Sequence, residues 1–260
     1  MAENVTWDPN HYLSFDSHRL RPAIDLISQI SVEAPRAIAD LGCGPGNVTN
    51  IIQERWSDAS VSGVDSSQEM LDQAKERNAK IDWIRADLNS WKSENSFDLL
   101  FSNAALHWLD NHRELFPKLL ANVAPGGIIA IQMPRNWQAP SHSSINEVIV
   151  EGPWKELLEP EIVLEPSHSP DVYYDILSPL TEKLSIWETD YIQVLEGENP
   201  VAEFVKGSWL QRFLQLLEEP FRSEFESAYR EKVLNAYQKQ SDGKTLFPFK
   251  RLFIVAQKRA

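Results

Sequence analysis

Seven residues, Asp40-Leu41-Gly42-Cys43-Gly44-Pro45-Gly46, constrain this chain more than any other stretch. Three glycines at alternate positions suit a tight turn in which backbone approaches a ligand where a Cβ would collide. Arg36–Leu41 (RAIADL) before them reads as a strand, and Val48–Arg55 after them as a helix. A dinucleotide fingerprint would read G-x-G-x-x-G and aim a helix N-terminus at pyrophosphate. Here the third glycine comes one position early, and Asp40 stands two residues before the first. An acid there suits a ligand bearing an ammonium group and is a poor neighbour for pyrophosphate. An ordinary strand-to-helix turn is the simpler alternative.

The pattern continues to Met133. Ser60–Val64, Ile81–Arg85, Phe97–Ser102 and Ile128–Gln132 read as strands, and Gln68–Arg77 and Arg113–Val123 as helices. Ser66-Ser67-Gln68-Glu69 has the Ser-x-x-Glu spacing of a capping box. Ala124-Pro125-Gly126-Gly127 reads as a break before the fifth strand. Alternating strands and helices with short connections imply a parallel sheet covered on both faces, an α/β doubly wound class that binds ligands at the carboxyl ends of its strands.

Those ends carry the other candidates. Asp65 follows the second strand about 20 residues beyond the glycines, where an acid accepts hydrogen bonds from ribose hydroxyls; capping the next helix is its alternative role, which Ser66 or Ser67 would fill instead. Asp87 ends the third strand and suits an adenine amino group, or a simple turn. Asn103-Ala104-Ala105-Leu106-His107-Trp108 follows the fourth strand. Asn103 and Ala104 suit backbone contacts to a cofactor, and His107 and Trp108 the floor of an acceptor pocket, with a structural histidine equally open. Cys43 reads as a small packing residue. S-adenosylmethionine, which carries an ammonium and a sulfonium and no phosphate, answers this set.

The chain has 260 residues and a net charge of −13, with pI ≈ 4.9. No clustering of Lys and Arg marks a phosphate-binding stripe, so nucleic acid and anionic membranes are poor partners. No apolar run approaches the ~18 residues of a membrane span. The first residues, MAENVTWDPNHYLSF, show no secretory signal, and Cys43 is the single cysteine, which suits a reducing cytoplasm. No metal site is expected.

The second half is less regular. Seven of the sixteen prolines fall between Pro134 and Pro179, with Gly152 the one glycine there. This reads as a semi-rigid insertion. Leu184–Leu195 and Leu252–Ala256 read as strands and Val201–Lys239 as largely helical. The expectation is one domain over residues 1–260: a helical N-terminal cap (1–35), a cofactor core (36–133), a lid (134–183), and C-terminal strands with a helical cap (184–260).

Together these residues resemble the Rossmann-like S-adenosylmethionine-dependent methyltransferases. Trp7, Pro9, Tyr12 and Phe15, followed by Arg19-Leu20-Arg21-Pro22-Ala23, narrow the resemblance to the trans-aconitate methyltransferase family. So do Ala39–Asn47, Asp65-Ser66-Ser67, Glu114–Pro117, Gln132-Met133-Pro134, Asn136-Trp137, Tyr173–Leu177 and Arg251–Val255, while residues 200–240 match less well. The resemblance implies methyl transfer to a carboxylate of trans-aconitate, giving a monomethyl ester and S-adenosylhomocysteine. It implies a cofactor set of Tyr12, Arg21, Asp40, Gly42, Cys43, Gly44, Gly46, Asn47, Asp65, Ser66, Met70, Asp87, Leu88, Asn103 and Ala104. A carboxylic acid with pKa near ~4 is ionised at neutral pH, so no general base is expected. In-line positioning at about 3 Å can supply roughly 7–11 kcal/mol. A trianion approaching a chain of charge −13 needs local cations or donors. The candidates for positioning it are His107, Trp108, Arg135, Trp137, Tyr173, Tyr174, Arg212 and Arg251. Another small carboxylic or hydroxylated metabolite, a non-catalytic S-adenosylmethionine-binding module, and a nicotinamide-linked reductase are the rival readings; the glycine spacing disfavours the last. A monomer or weak homo-oligomer is expected.

Overall fold

Seven strands form one sheet in the order β3-β2-β1-β4-β5-β7-β6 in the computed structural model, which describes residues 20–260. The strands are β1 (Ala37–Leu41), β2 (Ser60–Asp65), β3 (Asp82–Arg85), β4 (Phe97–Asn103), β5 (Val123–Pro134), β6 (Thr181–Leu195) and β7 (Thr245–Lys258). β1 to β5 pair in parallel, and β7 runs antiparallel to β5. The expected α/β doubly wound sheet is present. Its order reverses between β1 and β4, the switch point at which such sheets open a crevice for ligands.

Helices α1 (Arg21–Ser28), α2 (Asn47–Arg55), α3 (Gln68–Arg77) and α4 (His112–Ala121) accompany these strands. α1 starts with Pro22 in its first turn, where a missing N–H costs nothing, and buries Ala23, Ile24, Leu26 and Ile27. α4 buries Leu115, Phe116, Leu119 and Leu120 in one cluster with Leu100, Ile129, Ile131 and Ile254 of the sheet. The fifth strand is longer than Ile128–Gln132. Val123 already pairs with Phe97, and a register shift absorbs the Pro-Gly-Gly stretch without ending the strand.

The Pro134–Pro179 stretch is helical, not irregular. α5 (Pro140–Glu151), α6 (Lys155–Leu158) and α7 (Pro170–Leu177) occupy it, and two of its prolines open helices. Proline's fixed φ pre-forms a first helical turn, so proline density marked helix starts here. α8 (Pro200–Lys206), α9 (Gln211–Leu214) and α10 (Phe221–Ala236) make up the later helical region.

Where the sequence suggests one core, the apolar side chains collect into two. Among the described residues one compact unit comprises 20–134, Ser167–Glu188 and Arg251–Ala260; the other comprises Arg135–Pro166 and Thr189–Lys250. The first holds the sheet core just described. The second is built on α5, α8 and α10, through Ile145, Val148, Val205, Phe225, Tyr229 and Val233. Trp154 meets Phe225 edge-on at 5.1 Å in this second core.

Candidate active site

The glycine loop is built as its sequence requires. Gly42, Gly44 and Gly46 have φ of 71°, 54° and 79°, the left-handed region closed to most side chains. A Cβ on Gly42 would lie 2.1 Å from the Cβ of Ala105, and one on Gly46 would lie 2.6 Å from the Trp83 ring. The backbone of Gly42 therefore packs directly against the Ala105 methyl in the turn after β4. The N–H groups of Gly42 and Cys43 both donate to the Val64 carbonyl, at 2.7 and 3.1 Å, tying the loop to the end of β2.

The two central acids differ in environment. Asp40 is 2% exposed, and Thr49 Oγ1 donates to its Oδ2 at 2.6 Å. Burial pushes its carboxyl from 3.8 up to about 7; the Thr49 hydrogen bond opposes this and the nearby Asp65 adds to it. Asp65 is half-buried. Its Oδ2 accepts from Gly44 N–H and its Oδ1 from Ser67 N–H, both at 2.9 Å. Helix α3 is capped by Ser67, whose Oγ accepts from Met70 N–H at 3.3 Å. The cap thus falls at Ser67 and not at Ser66, and no capping box forms: the third helical residue is Met70, and the Ser67 amide that a box would satisfy donates to Asp65 instead. The Cys43 thiol is raised by burial and then by the charges of Asp40 and Asp65, which suits packing and not nucleophilic attack.

Several expected cofactor contacts have other employment. Leu88 is buried in the sheet core. Asn47 Oδ1 accepts from Arg77. Arg21 is exposed and pairs with Asp25 at 3.7 Å. Asp87 is exposed at the end of β3, and its Oδ1 accepts from the backbone and side-chain amides of Asn89 at 2.9 and 3.0 Å, an Asx turn. Ser66 and Met70 are exposed beside Asp65. Tyr12 lies outside the described residues.

At the end of β4 the chain turns through Ala104, which holds a φ of 53° although it is not glycine. A one-turn helix, Leu106–Trp108, follows, with the His107 and Trp108 rings 4.9 Å apart. His107 is buried and Trp108 is 49% exposed. Beneath this turn lies a chain of hydrogen bonds that sequence did not suggest. His168 N–H donates to Tyr173 Oη at 3.0 Å, Tyr173 Oη lies 2.8 Å from His112 Nδ1, and His112 Nε2 lies 2.9 Å from the Leu106 carbonyl. A carbonyl only accepts, so Nε2 carries the proton and Nδ1 accepts from the tyrosine hydroxyl. Burial lowers the His112 pKa, the hydrogen bond to the Leu106 carbonyl opposes it, and His168 adds to the lowering. The direction is that of the neutral form those hydrogen bonds require.

Tyr173, expected to donate to an acceptor molecule, is instead fully buried, with its hydroxyl spent inside the protein. Tyr174, next to it, is 58% exposed. Arg251 is 7% exposed, and its Nη1 donates to Gln132 Oε1 at 3.4 Å. His107, Trp108, Tyr174 and Arg251 all belong to the first unit. Arg135, Trp137 and Arg212 belong to the second. Trp137, expected to wall an acceptor pocket, is packed in the second core at 4.9 Å from Trp209. Arg212, expected to meet a substrate anion, pairs with Glu161 at 3.4 Å and lies over the Trp209 ring. Thr49, Trp83, His112 and Gln132 were missed. For Gln132 a signal existed: it is the one polar side chain in the run Ile128–Met133. Among the described residues no group of His, Cys, Asp or Glu could hold a metal ion, and no helix is long and apolar enough to cross a membrane.

Residues 38–127 match a family model described as a methyltransferase domain. The chain is 42% identical over 253 residues to a trans-aconitate 2-methyltransferase of Rhodopseudomonas palustris (strain BisB18), covering 97% of this chain and 99% of that one. It is 41% identical over 251 residues to the protein of the same name from Azoarcus sp. (strain BH72), covering 96% and 98%. Among solved structures, the phosphoethanolamine N-methyltransferase 2 of Haemonchus contortus, in complex with phosphomonomethylethanolamine and S-adenosylhomocysteine, superposes with a TM-score of 0.56 at 17% identity. That match covers 92% of this chain and 53% of that one, so it speaks for the fold alone. The full-length likeness in sequence settles the family: this chain belongs to the trans-aconitate 2-methyltransferases, among the methyltransferase-domain proteins.

Proposed function

We propose that the protein transfers a methyl group from S-adenosylmethionine to a carboxylate of trans-aconitate, releasing the monomethyl ester and S-adenosylhomocysteine. One observation carries this reading: near full-length identity of 41–42% to proteins named for that reaction. The site's chemistry supports the donor. The glycine loop turns through left-handed backbone that glycine alone adopts readily, and Asp40 and Asp65 offer carboxylates to an ammonium and to ribose hydroxyls. Asp87 would face the adenine amino group, and the Asn103–Ala104 backbone the reacting end.

When bound, the donor supplies an electrophilic methyl group on a sulfonium. The protein's own part is alignment, since a carboxylate is already ionised at neutral pH and needs no base. His112 is not available as a base, because Nε2 donates to the Leu106 carbonyl and Nδ1 accepts from the Tyr173 hydroxyl. His107, Trp108, Tyr174 and Arg251 are the positioning candidates in the first unit.

The test has two stages. Calorimetry should detect binding of S-adenosylhomocysteine to the purified protein, and mass spectrometry should detect a methyl ester after incubation with S-adenosylmethionine and a panel of small di- and tricarboxylates. Trans-aconitate should give the highest kcat/KM, with a pH–rate profile flat above pH ~6. Transfer to a different acid with none to trans-aconitate would overturn the acceptor assignment. With S-adenosylmethionine saturating, so that the titration of Asp40 at about 7 drops out, a rate rising with a pKa near ~7 would point to base-assisted chemistry.

A further inference from the structure

A glutamine inside an apolar strand is costly unless both ends of its carboxamide are bonded. Gln132 is 0% exposed, and its partner across β7 is Phe253. Arg251, two residues along β7 from Phe253, donates to its Oε1. A guanidinium has donors only, so it fixes the carboxamide: oxygen towards Arg251, and the NH2 the other way. That Nε2 has no hydrogen-bond partner among the described residues. On the adjoining strand, Asn103 stands in register with Gln132, and its Oδ1 has no partner either. More than 90% of buried polar groups in native proteins are satisfied. The Asn103 oxygen calls for a donor and is not satisfied by an anion; the orphan Gln132 NH2 calls for an acceptor.

The position of Gln132 supplies one. Asn103 ends β4, and Gln132 is two residues from the end of β5, at the carboxyl edge where a doubly wound sheet receives ligands. The Gln132 carbonyl also accepts from the N–H of Ala104, the residue held in the left-handed region. Backbone strain of that kind persists where surrounding structure over-determines it, often at binding sites. The cluster joins a neutral N–H donor to a cationic one on the same face of the sheet. That pairing selects an anionic oxygen ligand over a neutral carbonyl.

We propose that Gln132 and Arg251 together form the subsite for a carboxylate of the acceptor, with the Gln132 NH2 and the Arg251 guanidinium each donating to it. The inference rests on the reading that the acceptor is a small polycarboxylate. It adds a residue, Gln132, whose role is to aim Arg251 and to bind the same anion itself.

Two substitutions test it. Gln132→Met keeps the volume and removes the N–H; KM for trans-aconitate should rise about tenfold. Gln132→Glu places a second carboxylate against Arg251; KM should rise about 100-fold or more. In both, kcat should change less than KM, and the Kd for S-adenosylhomocysteine should stay within about threefold, which also certifies the fold. A KM unchanged in both variants, or a stabilised Gln132→Met protein of wild-type kinetics, would show an inward-facing glutamine with no ligand and would overturn the proposal. Should neither variant fold, the wild-type S-adenosylhomocysteine complex labelled with 15N-glutamine decides. Trans-aconitate should then shift a side-chain NH2 pair that is protected from solvent exchange, and the absence of any such shift counts against the subsite. If the wild type methylates another small acid and not trans-aconitate, the functional reading fails while the subsite is judged on that acid. A wild type that binds S-adenosylhomocysteine but no small carboxylate removes both.

Discussion

Replacing Asp40 by Asn should change the pH dependence of stability in a calculable way. Asp40 has an ordinary carboxyl value of 3.8 in the unfolded chain and about 7 in the folded one, raised mainly by burial. A carboxyl raised on folding favours the protonated native state. Between pH 3.8 and 7 the native state therefore holds more protons than the unfolded state, and stability falls as pH rises through that window. At about 1.4 kcal/mol per pH unit, the full penalty above pH 7 is on the order of 4 kcal/mol, of which about 2–3 kcal/mol develops between pH 5 and pH 8. The Asn variant is neutral throughout and retains an oxygen to accept from Thr49 Oγ1. Its second amide N–H adds a constant cost of about 1–3 kcal/mol if it finds no acceptor, but that cost does not vary with pH. Urea unfolding of ligand-stripped wild type and Asp40→Asn, followed at pH 5 and pH 8, isolates the variable part. The difference in unfolding free energy should move in favour of the variant by about 2–3 kcal/mol on going to pH 8. Parallel pH curves for the two proteins would refute the reasoning, because they would mean Asp40 is ionised in the native state at both pH values.

Three further outcomes are expected. If Asp40 receives the donor's ammonium, S-adenosylhomocysteine binding near pH 6 should release close to one proton per site, read from calorimetry in buffers of different ionisation enthalpy, and none in Asp40→Asn. Tyr173→Phe leaves His112 Nδ1 and His168 N–H without their partner, so it should cost about 1–3 kcal/mol of stability in urea unfolding; a raised KM with stability intact would instead put Tyr173 in the acceptor site. Gly42→Ala, whose Cβ would meet Ala105 at 2.1 Å, should weaken S-adenosylhomocysteine binding by at least tenfold, about 1.4 kcal/mol, and unchanged affinity would show that the loop can move aside.

What sequence revealed here was local. Asp40, the three glycines and Asp65 lie within one strand–turn–helix–strand unit, so their spacing alone implied both the turn and its ligand class. The features missed are ones made by register or by distance along the chain. Gln132 gains meaning only once Arg251 is brought to it across β5 and β7 and Asn103 across β4 and β5. Tyr173 reads as an available hydroxyl until His112, 61 residues earlier, is found against it. Leu88 and Trp137 are apolar side chains near expected ligands, and only packing shows that each is drawn into a core. The prolines at 140 and 170 misled for a different reason: composition reports their frequency but not their position, and each falls in the first turn of a helix, the one place where proline favours that structure.

The posture of Asp65 bears on how changes at that position are interpreted. One oxygen braces the glycine loop through Gly44, and the other braces the start of α3 through Ser67. The carboxylate is thus anchored from two sides before any nucleoside arrives, and a ribose would dock against a rigid post at little entropic cost. The same anchoring means that an inactive Asp65 variant is ambiguous, since it removes a fastener of the scaffold together with any grip on the sugar. Loop integrity and cofactor affinity therefore have to be measured separately there.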